Sequence, residues 1–415
     1  MAMITATPGA PPASPYTPLL DRFADATRLT LAGRDPGAYH GFVNPPVYHG
    51  STVLSPTTHD LLHRTQPYIY GRRGTPTSDA LEHALIELEG GAGAVLCPSG
   101  LSACTLALLS CLTPGDHLLM TDSVYGPVRH ACDGVLRRMG IDTTYYDPLL
   151  GAALEPLIRP RTRAVYVESP GSYTFEVQDI GAIARVAHAH GMSVIADNSW
   201  ATPLLFRPHD HGVDLSIQAG TKYLVGHSDA MLGTVSANAA AWPALKQLHG
   251  DLGLCVGPDD LYLALRGLRT LGLRLRQHQE NAVVVASWLK QQPEVLGILF
   301  PAFDDCPGHA LWKRDFKGTS GLFSVILHAA PDEALAAFLD SLELFGLGYS
   351  WGGFESLAVP FDLQSQRIAQ RWPDGSIGVR LHVGLEAPAD LIADLAAGLQ
   401  RYSAACPARE DAATC

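Results

Sequence analysis

Apolar positions along the chain fall into two rhythms. From about residue 74 to 268, short runs rich in Val, Ile and Leu alternate with longer amphipathic stretches, the pattern of repeated βα units around a mostly parallel sheet. The runs predict strands at Ala94–Cys97, His117–Thr121, Thr143–Tyr146, Ala164–Glu168, Ser193–Ala196, Leu215–Gln218 and Leu232–Ser236. Between them, Ser78–Glu89 carries Leu81, Leu85 and Leu88 on one helical face, and Asp179–His190 carries Ile180, Ile183 and Val186, so both are expected to cover the sheet. From Pro258 a longer helical period runs through Leu261, Leu265, Leu268 and Leu275 towards Trp288. It links to a smaller α+β region, mixing strands such as Leu322–Leu327 with helices such as Asp332–Leu342.

The flanks break this rhythm. Residues 1–20 hold no Lys or Arg and are interrupted by Pro8, Pro11, Pro12, Pro15 and Pro18. They have neither the basic start nor the continuous apolar run of a secretory signal, and read as a loose arm. Residues 21–73 lack a sustained period, contain NPPVYH, and read as an extended segment reaching away from the main body. The last dozen residues, AACPAREDAATC, have no apolar period either and read as frayed. One stretch, Gly90 to Gly115, is wholly uncharged and so raises the question of a membrane span. Pro98, Ser99 and Gly100 divide it into a short strand and a buried helix about half the length a bilayer requires.

Composition narrows the function. Asp plus Glu 41 against Lys plus Arg 29 leaves a formal charge of -12, which repels nucleic-acid backbones and anionic lipid surfaces. Charged residues are 17% and apolar ones 47%, a balance that predicts surface covered by other subunits. The 8 cysteines include no C-x-x-C pair and suit a reducing cytoplasm better than a disulfide framework or zinc site. Cys97, Cys104 and Cys111 recur at a seven-residue spacing and read as core packing. His188 with His190, and His209 with His211, read as surface or loop histidines, so no metal is expected. Dinucleotide, phosphate-loop, zinc-helix and serine-elbow motifs are absent from the sequence.

What remains is a constellation along the sheet. ADNSWATP sets Asp197 past one strand end and QAGTKYLVGHSD sets Lys222 past the next, where open α/β sheets bind ligands. By placement alone, a buried salt bridge explains this pair as well as a site does. PSGLSA adds a third feature, because the N–H groups of Gly100 and Leu101 open a helix and can seat a phosphate. An amine for a Schiff base, an acid for a ring nitrogen and a phosphate seat together point to pyridoxal 5'-phosphate.

YGRRGTPT, GGAGAVLCPSG, DSVYGP, VESPGS, ADNSWATP, QAGTKYLVGHSDAMLG, RGLRTLGLRLRQHQENA, GTSGLFS, YSWGGFESL and GVRLHVGLE, in that order, resemble the cysteine and methionine metabolism family of pyridoxal phosphate enzymes. The likeness spans about Tyr39 to Tyr402 and is nearest to members that cleave cystathionine at Cβ. It implies an aspartate-aminotransferase-like fold, a mostly parallel α/β sheet with a smaller C-terminal α+β domain. It further implies a homo-oligomer, a tetramer built as a dimer of dimers. Residues 74–268 are then the cofactor domain, 269–415 the domain for the substrate carboxylate, and 21–73 the segment contacting a neighbouring subunit.

Residue by residue, Lys222 resembles the lysine that holds the cofactor covalently and serves as catalytic base, and Asp197 the partner of the ring nitrogen. Tyr125 matches the tyrosine stacked on the ring. Gly100, Leu101 and Thr221 match phosphate contacts, and Tyr70 and Arg72 match residues that reach the phosphate from the neighbouring subunit. Arg380 matches the guanidinium on the substrate α-carboxylate, with Tyr349, Ser350 and Trp351 lining the other side. The resemblance implies β-elimination of L-cystathionine, a small sulfur amino acid, in methionine biosynthesis. A broader cysteine-S-conjugate β-lyase or a γ-acting member is the alternative. Relatives acting at Cγ tend to carry an acid before the serine and a smaller residue after it, whereas this chain reads Tyr349, Ser350, Trp351. Two positions depart from the pattern: His130 stands where some β-lyases carry an acid near the distal end of cystathionine, and Ala219 offers no hydroxyl to the phosphate.

Overall fold

The computed structural model describes residues 22–362, 367 and 377–406. The arm at 1–20 and the C-terminal residues past 406 lie outside the described residues. The expected strands are all present, with ends shifted by a residue or two. They are β1 (Gly93–Cys97), β2 (His117–Thr121), β3 (Asp142–Tyr146), β4 (Thr162–Glu168), β5 (Ser193–Asp197), β6 (Leu215–Gln218) and β7 (Gly233–Ala237). They form a 7-stranded sheet in the order β1-β7-β6-β5-β4-β2-β3. Pairs among β2 to β6 are parallel, while β7 runs antiparallel to both β1 and β6. That reversal follows from residues 219–232, which form no crossover helix and fold straight back.

Helices cover both faces. Helix α1 (Pro76–Glu89) starts at a capping box, in which Thr75 accepts from the Ser78 N–H and Ser78 accepts from the Thr75 N–H. Helix α2 (Gly100–Cys111) packs with β1, β5, β6 and β7 in an apolar cluster that includes Val95, Ala103, Leu108 and Val235. On the other face, α1, α3 (Ile180–Ala189) and α4 (Pro258–Leu289) share a larger cluster with Leu119, Val165 and Val194. Apart from the edge strand β3, whose sequence DTTYY is largely half-buried or exposed, the strands are buried on both sides, so they read as mostly apolar runs.

The 32-residue α4 leads to a second sheet, made of β8 (Val295–Leu299), β9 (Leu322–Leu327), β10 (Gly346–Leu347), β11 (Leu357–Phe361) and β12 (Ile377–His382). Its order is β10-β11-β12-β9-β8, antiparallel except at β10 and β11. Helices α5 (Asp332–Leu339) and α6 (Pro388–Ala405) pack together beside it. The apolar clusters of the first sheet's α4 face and of this sheet are continuous, running from Leu268 and Leu275 to Phe323 and Leu381. The loop after β10 and the side chains of β12 are thereby set against the ligand-binding ends of β4, β5 and β6. No helix among the described residues is long and apolar enough to cross a membrane.

Candidate active site

Three sequence features converge where β1, β5 and β6 end. Ser99 caps α2 by accepting from the Ser102 N–H at 3.2 Å, and Ser102 accepts from the Ser99 N–H at 3.1 Å. Gly100 and Leu101 therefore open the helix with N–H groups that have no partner within it. A Cβ at Gly100 would lie 2.8 Å from that of Ala219, so glycine lets the helix end press against the turn before Lys222. Together these N–H groups form a cradle for a dianion. Thr221, expected to face the phosphate, accepts from the Leu232 N–H at 2.9 Å and donates to the Leu232 carbonyl at 3.1 Å. Its bonds fasten the turn to the strand that follows.

Asp197 is the last residue of β5, not the first residue beyond it. Its Oδ1 accepts from the Ser199 N–H at 2.9 Å, while among the described residues Oδ2 accepts from the Cys104 thiol alone, at 3.8 Å. One carboxylate oxygen is thus left for a ring N–H. Burial raises the Asp197 carboxyl, and the Ser199 bonds and the Lys222 charge act against that rise. The Ser199 hydroxyl also accepts from the Ala219 N–H at 2.7 Å, joining the acid's loop to the lysine's turn.

Lys222 Nζ donates to Ser350 Oγ at 2.6 Å and lies 5.3 Å from the centre of the Trp351 ring. Burial, then the Arg380 charge, lowers this amine to about 8, with Asp197 pulling the other way. A lowered lysine pKa puts the nucleophilic free amine at lower pH. Reaction of Lys222 with an aldehyde reagent in cofactor-free protein is expected to rise with pH around a midpoint near 8. Peptide mapping across a pH series checks this, and a midpoint at the ordinary lysine value of about 10.4 would contradict it.

Arg380, on β12, is 8% exposed and donates from Nη2 to the Ser350 carbonyl at 2.9 Å, leaving Nε buried and, among the described residues, without a partner. Its guanidinium carbon sits 5.4 Å from the Tyr173 ring centre, and burial lowers its pKa. Tyr125 stands at the N-terminus of the short helix Gly126–Ala131 that follows β2, is 43% exposed, and is close enough for the Arg380 charge to act on it. The Tyr125 N–H donates to Glu168 Oε2 at 2.7 Å. Tyr349 is 84% exposed, though close enough to act electrostatically on Arg380.

Lys222, Asp197, Gly100, Leu101, Thr221, Ser350, Trp351 and Arg380 thus share one cleft between the two sheets, with Tyr125 at its edge. Tyr70 and Arg72 do not join it. Arg72 donates to the Gly250 carbonyl at 3.1 Å, Tyr70 bridges Thr52, and no described contact ties either to Lys222 or Asp197. Three residues near the site were not singled out from sequence. Cys104, read as plain core, accepts from the Tyr166 hydroxyl at 3.4 Å and backs Asp197. Glu168 pairs in register with Asp197 across β4 and β5, and burial, then Asp197, raises it well above an ordinary carboxylate. Ser199 is the third. Glu168 and Ser199 lie inside motifs quoted above and Cys104 directly follows one, but only the folded sheet brings them to the site. No group of three or more His, Cys, Asp or Glu among the described residues could hold a metal ion.

An amine, a carboxylate with a spare oxygen and a dianion cradle, at the ends of β6, β5 and β1, fit pyridoxal phosphate by the chemistry of their donors. Comparison with known proteins agrees. The family model described as Cys/Met metabolism PLP-dependent enzyme matches residues 26–400. A Rhizobium johnstonii protein is 54% identical over 390 residues, covering 93% of this chain and 98% of that one. The Escherichia coli protein named cystathionine beta-lyase MetC is 44% identical over 388 residues, covering 90% and 98% respectively. Among solved structures, cystathionine gamma synthase from Xanthomonas oryzae pv. oryzae in complex with cystathionine superposes with a TM-score of 0.85 at 34% identity, covering 92% of this chain and 99% of that one. This chain belongs to the Cys/Met metabolism family of pyridoxal phosphate-dependent enzymes.

Proposed function

We propose that this chain is a carbon–sulfur lyase that cleaves L-cystathionine at Cβ, yielding homocysteine, pyruvate and ammonia with uptake of water. The observation that carries the reading is the loop Tyr349–Ser350–Trp351, tied at once to Lys222 and to Arg380. It carries the aromatic pair expected of β-eliminating members. A relative 44% identical and named cystathionine beta-lyase supports the same choice.

Bound pyridoxal phosphate supplies an electron sink for the negative charge that develops at Cα. The residues of the chain supply the rest. Asp197 would keep a proton on the ring nitrogen, and the N–H groups of Gly100 and Leu101 would seat the phosphate. Arg380 binds the substrate α-carboxylate through its unpartnered edge, a bidentate task suited to guanidinium, and so orients the Cα–H bond. Lys222 would hold the cofactor covalently through Nζ, and the free Nζ removes that proton as general base. The same Nζ then returns a proton to the departing sulfur at Cβ. Trp351 and Tyr125 cover the reacting atoms and exclude water.

The deciding experiment is product analysis with L-cystathionine. Pyruvate with homocysteine is expected, whereas 2-oxobutyrate with cysteine would replace this reading with γ-cleavage. Arg380→Ala is expected to weaken substrate binding by about 1.5–3 kcal/mol, the worth of a charge-assisted hydrogen bond. Steady-state kinetics should show this mainly as a raised KM, and an unchanged KM would remove Arg380 from its role.

The active form is read as a homo-oligomer in the cytoplasm. Phe42, Leu54, Leu61 and Leu62 are exposed on the N-terminal segment, an arrangement that supports cover by a second copy. Tyr70 and Arg72, on the same segment and away from their own chain's cleft, are proposed to reach the neighbour's phosphate seat.

A further inference from the structure

Besides Ser199, a second support reaches Asp197 through the protein interior. Cys104 stands four residues after Gly100 on α2 and so shares that residue's helical face. Tyr166 stands two residues before Glu168 on β4. It therefore points to the same side of the sheet as Glu168 and, by the register of β4 on β5, as Asp197. Helix and strands meet in a chain of three side chains. The Tyr166 hydroxyl donates to Cys104 Sγ at 3.4 Å, and the Cys104 thiol donates to Asp197 Oδ2 at 3.8 Å.

The direction of this chain is fixed by its end. A carboxylate only accepts, while a thiol and a phenol each carry one proton. The thiol proton therefore goes to Asp197, and the sulfur is left to accept from Tyr166, so every proton in the chain has an acceptor. Both donors keep their protons at neutral pH: burial, then the Asp197 charge, raises the Cys104 thiol well above its ordinary value, and burial does the same to the Tyr166 phenol. On Asp197 the bond from Cys104 acts the other way and favours the ionised form. A carboxylate oxygen has two lone pairs, so Oδ2 takes the thiol on one and keeps the other for a ring N–H. Sulfur is also a weak donor, which fixes the oxygen while leaving it most of its charge. Core filling alone accounts for the burial of Cys104 but not for its two hydrogen bonds. Cys97, also buried, is raised by burial alone.

We propose that Cys104 is a positioning residue for the cofactor acid: oriented by the Tyr166 hydroxyl, its thiol holds Asp197 Oδ2 ready for the ring nitrogen without drawing off the charge that nitrogen needs. The inference rests on the role of Asp197 in the proposed lyase reaction, and its first test needs neither cofactor nor turnover. The S–H stretch lies in an infrared region free of other protein bands and moves to lower frequency when the thiol donates. In cofactor-free protein at mildly alkaline pH, the difference between unaltered protein and Cys104→Ala isolates the Cys104 band. The difference against Cys97→Ala isolates a buried thiol with no acceptor among the described residues. The Cys104 band is expected below the Cys97 band. Asp197→Asn should raise it towards that position, because the amide oxygen keeps the Ser199 N–H and an NH2 group stands in place of Oδ2. Tyr166→Phe should move it too, by freeing the sulfur. Coincident Cys104 and Cys97 bands, or a Cys104 band unmoved by either substitution, would overturn the chain.

Kinetics provide the second arm. Cys104→Val fills the space of the thiol without a donor and should lower kcat about three- to tenfold, the loss of one modest hydrogen bond. KM should stay unchanged, because Arg380 is untouched. A valine variant with the kcat of the unaltered enzyme would refute the positioning role, as would a loss that falls on KM alone. Should the Cys104 variants not fold, the difference spectrum against Asp197→Asn decides, since it moves the Cys104 band without altering Cys104. A failure of the lyase assignment would appear instead in the products from cystathionine, with the infrared bands as expected.

Discussion

Lys222→Ala is expected to cut pyruvate release from cystathionine by at least about 10³-fold, within the range for loss of a positioned general base, while the protein stays folded. The side chain is one buried amine whose hydrogen bond goes to Ser350, so its removal opens no large apolar void, and Asp197 keeps its bond from the Ser199 N–H. Pyruvate assay beside a thermal melt measures both halves of the expectation. Borohydride reduction of the holoenzyme followed by peptide mapping gives an independent check, since the label belongs on Lys222 and a label elsewhere would remove it from the mechanism. Substantial turnover by the alanine variant would do the same.

Asp197→Asn should be nearly as severe. The amide oxygen can still accept from the Ser199 N–H, so the loop keeps its shape, but a neutral amide no longer favours a charged ring nitrogen. Loss of one preorganised electrostatic contact is worth roughly 10²–10³ in kcat. Rapid-mixing measurement of proton abstraction from Cα-deuterated substrate would locate the loss in that step. A variant with unaltered kcat would show that the ring nitrogen does not depend on this acid.

Much of the architecture is legible because the central strands are buried on both faces. Runs such as SVIA and LSIQ have few other stable solutions, and His117–Thr121 and Leu215–Gln218 were bounded to the residue. Asp197 and Lys222 are readable because strand ends in a parallel sheet are where sites form. The neighbours of these residues are less readable. Glu168 meets Asp197 through the register of β4 on β5, and a parallel register is set by helices packed elsewhere, not by local sequence. Cys104 lies on a helix whose apolar character says only that it is buried, since backing a carboxylate and filling a core call for the same small side chain. His278 and His382 are about a hundred residues apart in the chain and meet only when α4 and β12 pack. The bonds of Thr221 to Leu232 likewise depend on where the chain doubles back.

Ser350, whose hydroxyl accepts from Lys222, has φ of +81°, and this left-handed backbone sets heat tolerance against turnover. Glycine would relieve a conformation that costs a side chain on the order of 1–3 kcal/mol, so a laboratory selection for survival at high temperature would be drawn to that replacement. Glycine has no hydroxyl to offer the amine it now faces. Hardier descendants obtained by this route would be poorer catalysts, and the serine marks a position where the two pressures cannot be met by one residue.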